Sequence, residues 1–183
     1  MSDVRGWVEE RVPRDEDLDR SELAALARAI GHERRLWEHL VRHIPDERYF
    51  VELYRDIHLD VWLICWLNHQ DTGFHDHDVS SGAVYVCDGT LVEERLEGDE
   101  TRLGTRARPH EAGGTFDFDA SYVHRMRHPG GEPASSIHCY SPALWRLGHY
   151  AFDDEGVLRR TSVTYADEMW TGPTVRPRAF APS

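Results

Sequence analysis

The sequence predicts a mainly β domain, a small antiparallel barrel or jelly roll with helices packed on it from the N-terminal side. Three observations carry this. After Pro45 the apolar residues lose helical period and fall into short runs parted by Gly, Pro and Asp. Between residues 19 and 44 they recur at helical spacing instead. The chain has 183 residues, 40 % hydrophobic and 30 % charged, which suits one domain with a core of its own.

Residues 1–18 are polar and are expected to be loosely held. Asp19 can cap a helix, with Glu22 three positions on completing a capping box. Leu23, Leu26 and Ile30 form its apolar stripe, and Gly31 is placed to stop it. A second helix is expected to carry Leu36, Trp37, Leu40, Val41 and Ile44 and to end at Pro45, so that 19–44 is a helical pair within one domain spanning 19–171. Residues 58–67, rich in Val, Ile, Leu and Trp without helical phase, read as a strand buried on both faces. Residues 82–87, the Asp88-Gly89 pair and residues 90–95 read as a hairpin. Shorter strands are expected at 114–118, 121–124, 136–140, 147–152 and 157–165. The segment 172–183 holds three prolines and reads as an extended tail.

Lys and Arg number 21 against 33 Asp and Glu, a net charge of −12. Such a balance argues against nucleic acid and against an anionic membrane as partner. No run approaches the roughly 18 apolar residues of a membrane span. The first twenty residues lack the apolar segment of a signal peptide. Cys65, Cys87 and Cys139 are odd in number and unrelated in spacing; each reads as a small buried hydrophobe, and the expected location is the reducing cytoplasm.

Histidine is the unusual component, at twelve residues. His32, His39 and His43 lie among charges and read as surface; His69, His110 and His149 fall in or beside loops. His75, His77, His124, His128 and His138 are grouped more tightly. In a strand His75 and His77 face the same way, while Asp76 and Asp78 face the other. Two adjacent imidazoles suit a divalent first-row metal but need a third ligand, which His124 can supply 47 residues on. In Ser136-Ile137-His138-Cys139-Tyr140, period two puts Ser136, His138 and Tyr140 on one face. There the serine can fix the histidine tautomer, and the histidine can orient the phenol toward a bound ligand.

The His75-Asp76-His77 pair, Gly89 and the lone His124 resemble the two motifs of the cupins. Two positions depart from them. Ser81 stands where the first motif carries a glutamate ligand, and His128 stands where the second carries asparagine. Three neutral imidazoles would leave Fe(II) its full +2 charge and open positions, a site suited to a thiolate.

Taken together, Trp62-Leu63-Ile64-Cys65-Trp66, Gly73-Phe74-His75-Asp76-His77, Gly89, His124-Arg125-Met126 and Ser136-Ile137-His138-Cys139-Tyr140-Ser141-Pro142 resemble the cysteine dioxygenase family of cupin thiol dioxygenases. The resemblance covers roughly residues 45–165. It implies a cupin fold and Fe(II) held by His75, His77 and His124, with Ser136, His138 and Tyr140 as the catalytic triad beside it. It further implies a small thiol, cysteine or a related mercapto acid, that receives both atoms of O₂ to become a sulfinate. Gly82 occupies the position of the cysteine that animal members crosslink to the tyrosine, so no thioether is expected. Cysteine-specific members bind the substrate carboxylate with an arginine two residues after a tyrosine. Here Tyr49 is followed by Val51, and Arg48, Arg55, Arg125 and Arg127 are the cations that could serve instead. The alternatives are a cupin oxygenase forming another oxidised sulfur product such as a sulfonamide, a non-catalytic metal- or ligand-binding cupin, and an isomerase or hydrolase using another metal.

Overall fold

The computed structural model describes residues 4–99, 102–155 and 157–164. Two antiparallel sheets face each other. One has the strand order β1-β2-β9-β4-β7 and the other β11-β10-β3-β8-β5-β6. The first comprises β1 (Tyr49–Arg55), β2 (Asp60–Trp66), β4 (Ser81–Asp88), β7 (Thr115–Phe118) and β9 (Ala134–Ser141). The second comprises β3 (Phe74–Asp76), β5 (Thr90–Asp99), β6 (Arg102–Glu111), β8 (His124–Arg127), β10 (Arg146–Phe152) and β11 (Leu158–Thr164). Helices α1 (Val4–Glu9) and α2 (Arg20–His32) precede them. The fold is therefore the mainly β jelly roll that the strand pattern predicts.

The two faces of the first sheet build separate cores. Val61, Leu63, Cys65, Ile137 and Cys139 pack outward against Leu23, Ala27 and Ile30 of α2. Trp62, Ile64, Trp66 and Tyr140 point inward, against Phe116, Met126, Leu144 and Leu147. Every residue of β2 and β9 is buried for this reason. Alternate residues of these strands thus reach either the helix layer or the space between the sheets.

Several elements differ from the sequence expectations. The first 18 residues are not uniformly loose. Val4, Trp7 and Val8, at i, i+3 and i+4, form the buried stripe of α1, and Leu18 is buried with its amide donating to Ser141 Oγ (2.9 Å). The capping box of Asp19 and Glu22 is formed. Gly31, however, lies within α2. A Cβ there would collide with the Tyr85 ring of β4, so this glycine permits close helix–sheet approach. No second helix follows; Arg34–Leu36 and Glu38–Leu40 are single 3₁₀ turns. The fully buried Trp37 folds back to donate its indole N–H to the carbonyl of Ile30 (2.9 Å), and that return ends the helical run.

Asp88-Gly89 does not close a hairpin. β4 pairs with β7 and β9, whereas β5 pairs with β6 and β8, so the chain changes sheets at Gly89. This residue has φ +70°, and a Cβ on it would sit 2.6 Å from the carbonyl oxygen of Pro133. The long hairpin is instead β5–β6, and β6 has no counterpart among the expected strands. Residues 119–122 form a turn instead, closed by the Tyr122 amide donating to the Asp119 carbonyl oxygen while the Asp119 side chain accepts from the amide and hydroxyl of Ser121, and the strand starts at His124. Tyr165 and the proline-rich segment 172–183 lie outside the described residues. No helix among the described residues is long and apolar enough to cross a membrane.

Candidate active site

His75 lies in β3, His77 one residue beyond it, and His124 at the start of β8. His75 and His124 are paired across the two strands. All three are buried, and they present ligand atoms within 4.8 Å of one another. The proton positions are set from behind. Gly73 carbonyl oxygen lies 3.0 Å from His75 Nδ1, and Glu93 Oε1 lies 3.1 Å from His124 Nδ1. When each Nδ1–H donates to its oxygen, each Nε2 carries a lone pair. Both ring nitrogens of His77 are buried with no hydrogen-bond partner. Burial, reinforced by the neighbouring imidazoles, pushes His75 and His77 far below the ordinary histidine value, so these rings are neutral. Three buried imidazoles around an unsatisfied nitrogen fit a divalent first-row metal, which would satisfy the orphaned atom.

Opposite this cluster, on the other sheet, β9 presents Ser136, His138 and Tyr140. Ser136 Oγ is 2.8 Å from His138 Nε2, and His138 Nδ1 is 3.1 Å from Tyr140 Oη. Trp66 donates its indole N–H to Ser136 Oγ (2.9 Å). Each group is satisfied if Ser136 donates to Nε2 and Nδ1–H donates to Tyr140, which keeps the phenol hydrogen for a second bond. Burial holds His138 down at about 3, so it stays neutral. The Tyr140 ring stacks on His77 at 5.3 Å between centroids. A cavity of about 40 Å³ between the sheets is bounded by His75, His124, His138 and Tyr140, with Trp62, Ile64, Met126, Leu144 and Leu147 as apolar wall. It has room for a small ligand and little more.

Of the candidate carboxylate-binding residues, Tyr49, Arg55, Arg125 and Arg127 do not line this cavity. Tyr49 packs on the helix side of its sheet. Arg55 donates to the buried Asp60 and to the Leu144 carbonyl oxygen. Arg125 and Arg127 point outward from β8, to Asp71 and Glu94. The cation that does line the cavity is Arg48, whose guanidinium lies 5.5 Å from the Trp66 ring centroid. Its position follows from β1, where the inward-facing Phe50 shows which alternation reaches the cavity; Tyr49 and Val51 take the other.

One residue of the site escaped the sequence reading. Glu93, on the buried Leu91 face of β5, contacts His124 and has Oε2 3.3 Å from Nε2 of His110. Burial would raise its carboxyl, but hydrogen bonds from His110, His124 and Tyr122 hold it at about 2. The signal for Glu93 was a carboxylate in phase with Leu91 on an expected strand. His128, at the second cupin motif's asparagine position, donates from Nε2 to Glu132 carbonyl oxygen and accepts from the Gly130 amide through Nδ1, closing a loop.

Residues 8–154 match the sequence profile of the family described as Cysteine dioxygenase type I. The chain belongs to that family. Among solved structures, an uncharacterised conserved protein with a double-stranded β-helix domain from Klebsiella pneumoniae subsp. pneumoniae is 17 % identical. The alignment covers 57 % of this chain and 80 % of that one, with a TM-score of 0.50. A protein from Thermus thermophilus is 19 % identical over 57 % of this chain and 92 % of that one (TM-score 0.49). A cupin superfamily protein from Desulfitobacterium hafniense is 8 % identical over 58 % and 88 % (TM-score 0.49). At such identities the likeness is one of fold. For this cysteine dioxygenase family member, Gly82 lies against the ring of Tyr140, where a Cβ would come within 2.9 Å of Cδ1. With glycine there, no side-chain sulfur is available to crosslink that tyrosine.

Proposed function

We propose that this chain is an Fe(II)-dependent thiol dioxygenase acting on a small mercapto acid, cysteine or a close relative. The observation that carries the reading is the placement of the Ser136–His138–Tyr140 chain on one sheet against the three-histidine cluster on the other. A metal-binding protein without turnover has no need of a buried, hydrogen-bonded phenol at that place.

His75, His77 and His124 would hold the metal, which supplies the redox chemistry joining thiolate and O₂. In the overall reaction a thiolate and O₂ give a sulfinate: two S–O bonds form, the O–O bond breaks, and sulfur supplies all four electrons. No further reductant is required. Arg48 would bind the substrate carboxylate by charge-assisted hydrogen bonds, directing the thiol end toward the histidines. Tyr140, oriented by His138, would donate its hydroxyl hydrogen to the reacting sulfur or oxygen atoms. Trp62, Ile64, Met126 and Leu147 would exclude water from the reacting atoms.

Oxygen uptake by Fe(II)-loaded protein, measured with cysteine, 3-mercaptopropionate and cysteamine, tests this. The expected result is uptake dependent on both iron and thiol, with a product heavier than its substrate by two oxygen atoms. A loaded protein that consumes no O₂ with any small thiol would overturn the proposal, and a product of other mass would overturn the sulfinate assignment.

A further inference from the structure

The three histidines are not equivalent, and what lies behind each distinguishes them. His75 Nδ1 meets a neutral carbonyl oxygen at Gly73. His77 has no hydrogen-bond partner on either nitrogen. His124 alone meets a carboxylate, Glu93 at 3.1 Å. Glu93 is itself buried, 6 % exposed, and its second oxygen is engaged by His110 (3.3 Å), whose ring stacks on Phe116 at 4.2 Å. A carboxylate clamped on both oxygens cannot swing away from the imidazole.

We propose that Glu93 is the positioning residue that makes His124 the strongest donor of the centre, returning through an imidazole the negative charge that Ser81 does not provide as a direct ligand. A carboxylate accepting from Nδ1 draws that proton toward itself and raises electron density at Nε2. The anion then sits one imidazole away from where the three histidines would hold the metal and would take up none of the space a substrate needs there. A carboxylate bound directly at the centre would occupy that space and repel an incoming thiolate; behind His124 it does neither to the same extent. The inference rests on His75, His77 and His124 being metal ligands.

Co(II) binding by the metal-free full chain tests it, read by visible ligand-field absorption and by competition with a chelator. Glu93→Gln keeps an acceptor of the same length and removes the charge. It is expected to weaken Co(II) binding about 10- to 100-fold and to shift the absorption bands. The Fe(III)/Fe(II) potential of the iron-loaded variant should move upward, because losing an anion disfavours the ferric state; a merely structural role fixes no such direction. If Glu93→Gln does not fold, Glu93→Asp carries the same test, since it withdraws the charge from Nδ1 by one methylene. Wild-type protein that binds no Co(II) overturns the metal reading and this inference with it. Wild-type protein that binds Co(II), beside a variant of unchanged affinity and spectrum, overturns the role of Glu93 alone.

Discussion

Arg160 reaches from β11 across β10 to donate two hydrogen bonds to Asp76, from Nε to Oδ2 (2.6 Å) and from Nη2 to Oδ1 (2.8 Å). Asp76 is the residue between His75 and His77, so an edge strand far along the chain anchors the strand that carries the histidine pair. Tyr150 adds a third bond (2.7 Å), and Gly148 makes the crossing possible, since a Cβ there would collide with the Arg160 guanidinium. Arg160→Ala should cost about 1–2 kcal/mol, limited by solvent at the partly exposed guanidinium. Metal affinity should fall with it, because His75 and His77 lose their common support. Urea unfolding of the metal-free variant and chelator competition on the loaded one measure the two effects separately.

Tyr140→Phe should leave the metal in place and the fold intact while turnover falls about 100-fold or more, the usual contribution of a positioned proton donor. Ser136→Ala acts at the far end of the same chain. It strips Trp66 Nε1 and His138 Nε2 of a buried partner, so both rate and stability should fall. Steady-state oxygen uptake beside thermal unfolding separates the two variants. A Tyr140→Phe enzyme of wild-type rate would remove the phenol from the reaction.

The legible parts of this molecule are those where burial imposes a period. β9 is buried on both faces, so its alternation of Ser136, His138 and Tyr140 with Ile137 and Cys139 records two different cores. β11 is an edge strand with most of its residues exposed, and the described side chains of β6 include five exposed in succession, Thr105 to Pro109. The backbone of β6 pairs without any demand on its side chains, and the sequence carries little trace of it, whereas β11 falls within the strand expected at 157–165. The helix after α2 failed for the opposite reason: a helical spacing was present, but the indole of Trp37 bonds back to Ile30, which spacing does not reveal. In the site, His75, His77 and His124 stand out by residue type. Arg48 and Glu93 are ordinary charged residues, marked only by facing inward, and that depends on where β1 and β5 begin.

Arg48→Gln should raise KM for mercapto acids about 10- to 100-fold, the worth of a charge-assisted hydrogen bond in an enclosed site. Cysteamine, which lacks a carboxylate, should be affected far less. Arg125→Gln, at a residue paired outside the cavity with Asp71, should leave both unchanged. The substrate panel measured on the two variants tests the assignment. A uniform loss across all thiols in Arg48→Gln would mean that the residue supports the wall and does not read the carboxylate.

Asp60 is fully buried beneath the cavity wall, accepting from the Trp62 indole N–H (2.6 Å) and paired with Arg55. Burial pushes its carboxyl up to about 7, against the opposing pull of Arg55 and Trp62. An unfolded aspartate releases its proton near about 3.9. Between about pH 4 and pH 7 the folded chain therefore holds a proton that the unfolded chain has lost, and stability must fall as pH rises through that window. Above it no further loss comes from this group. Asp60→Asn removes the titration, so the difference in unfolding free energy between variant and wild type should drift in favour of the variant from about pH 4 to pH 7 and then level off. Urea denaturation of both metal-free proteins at half-unit steps of pH reads this directly. A difference that stays flat across the window would show that Arg55 keeps Asp60 ionised throughout.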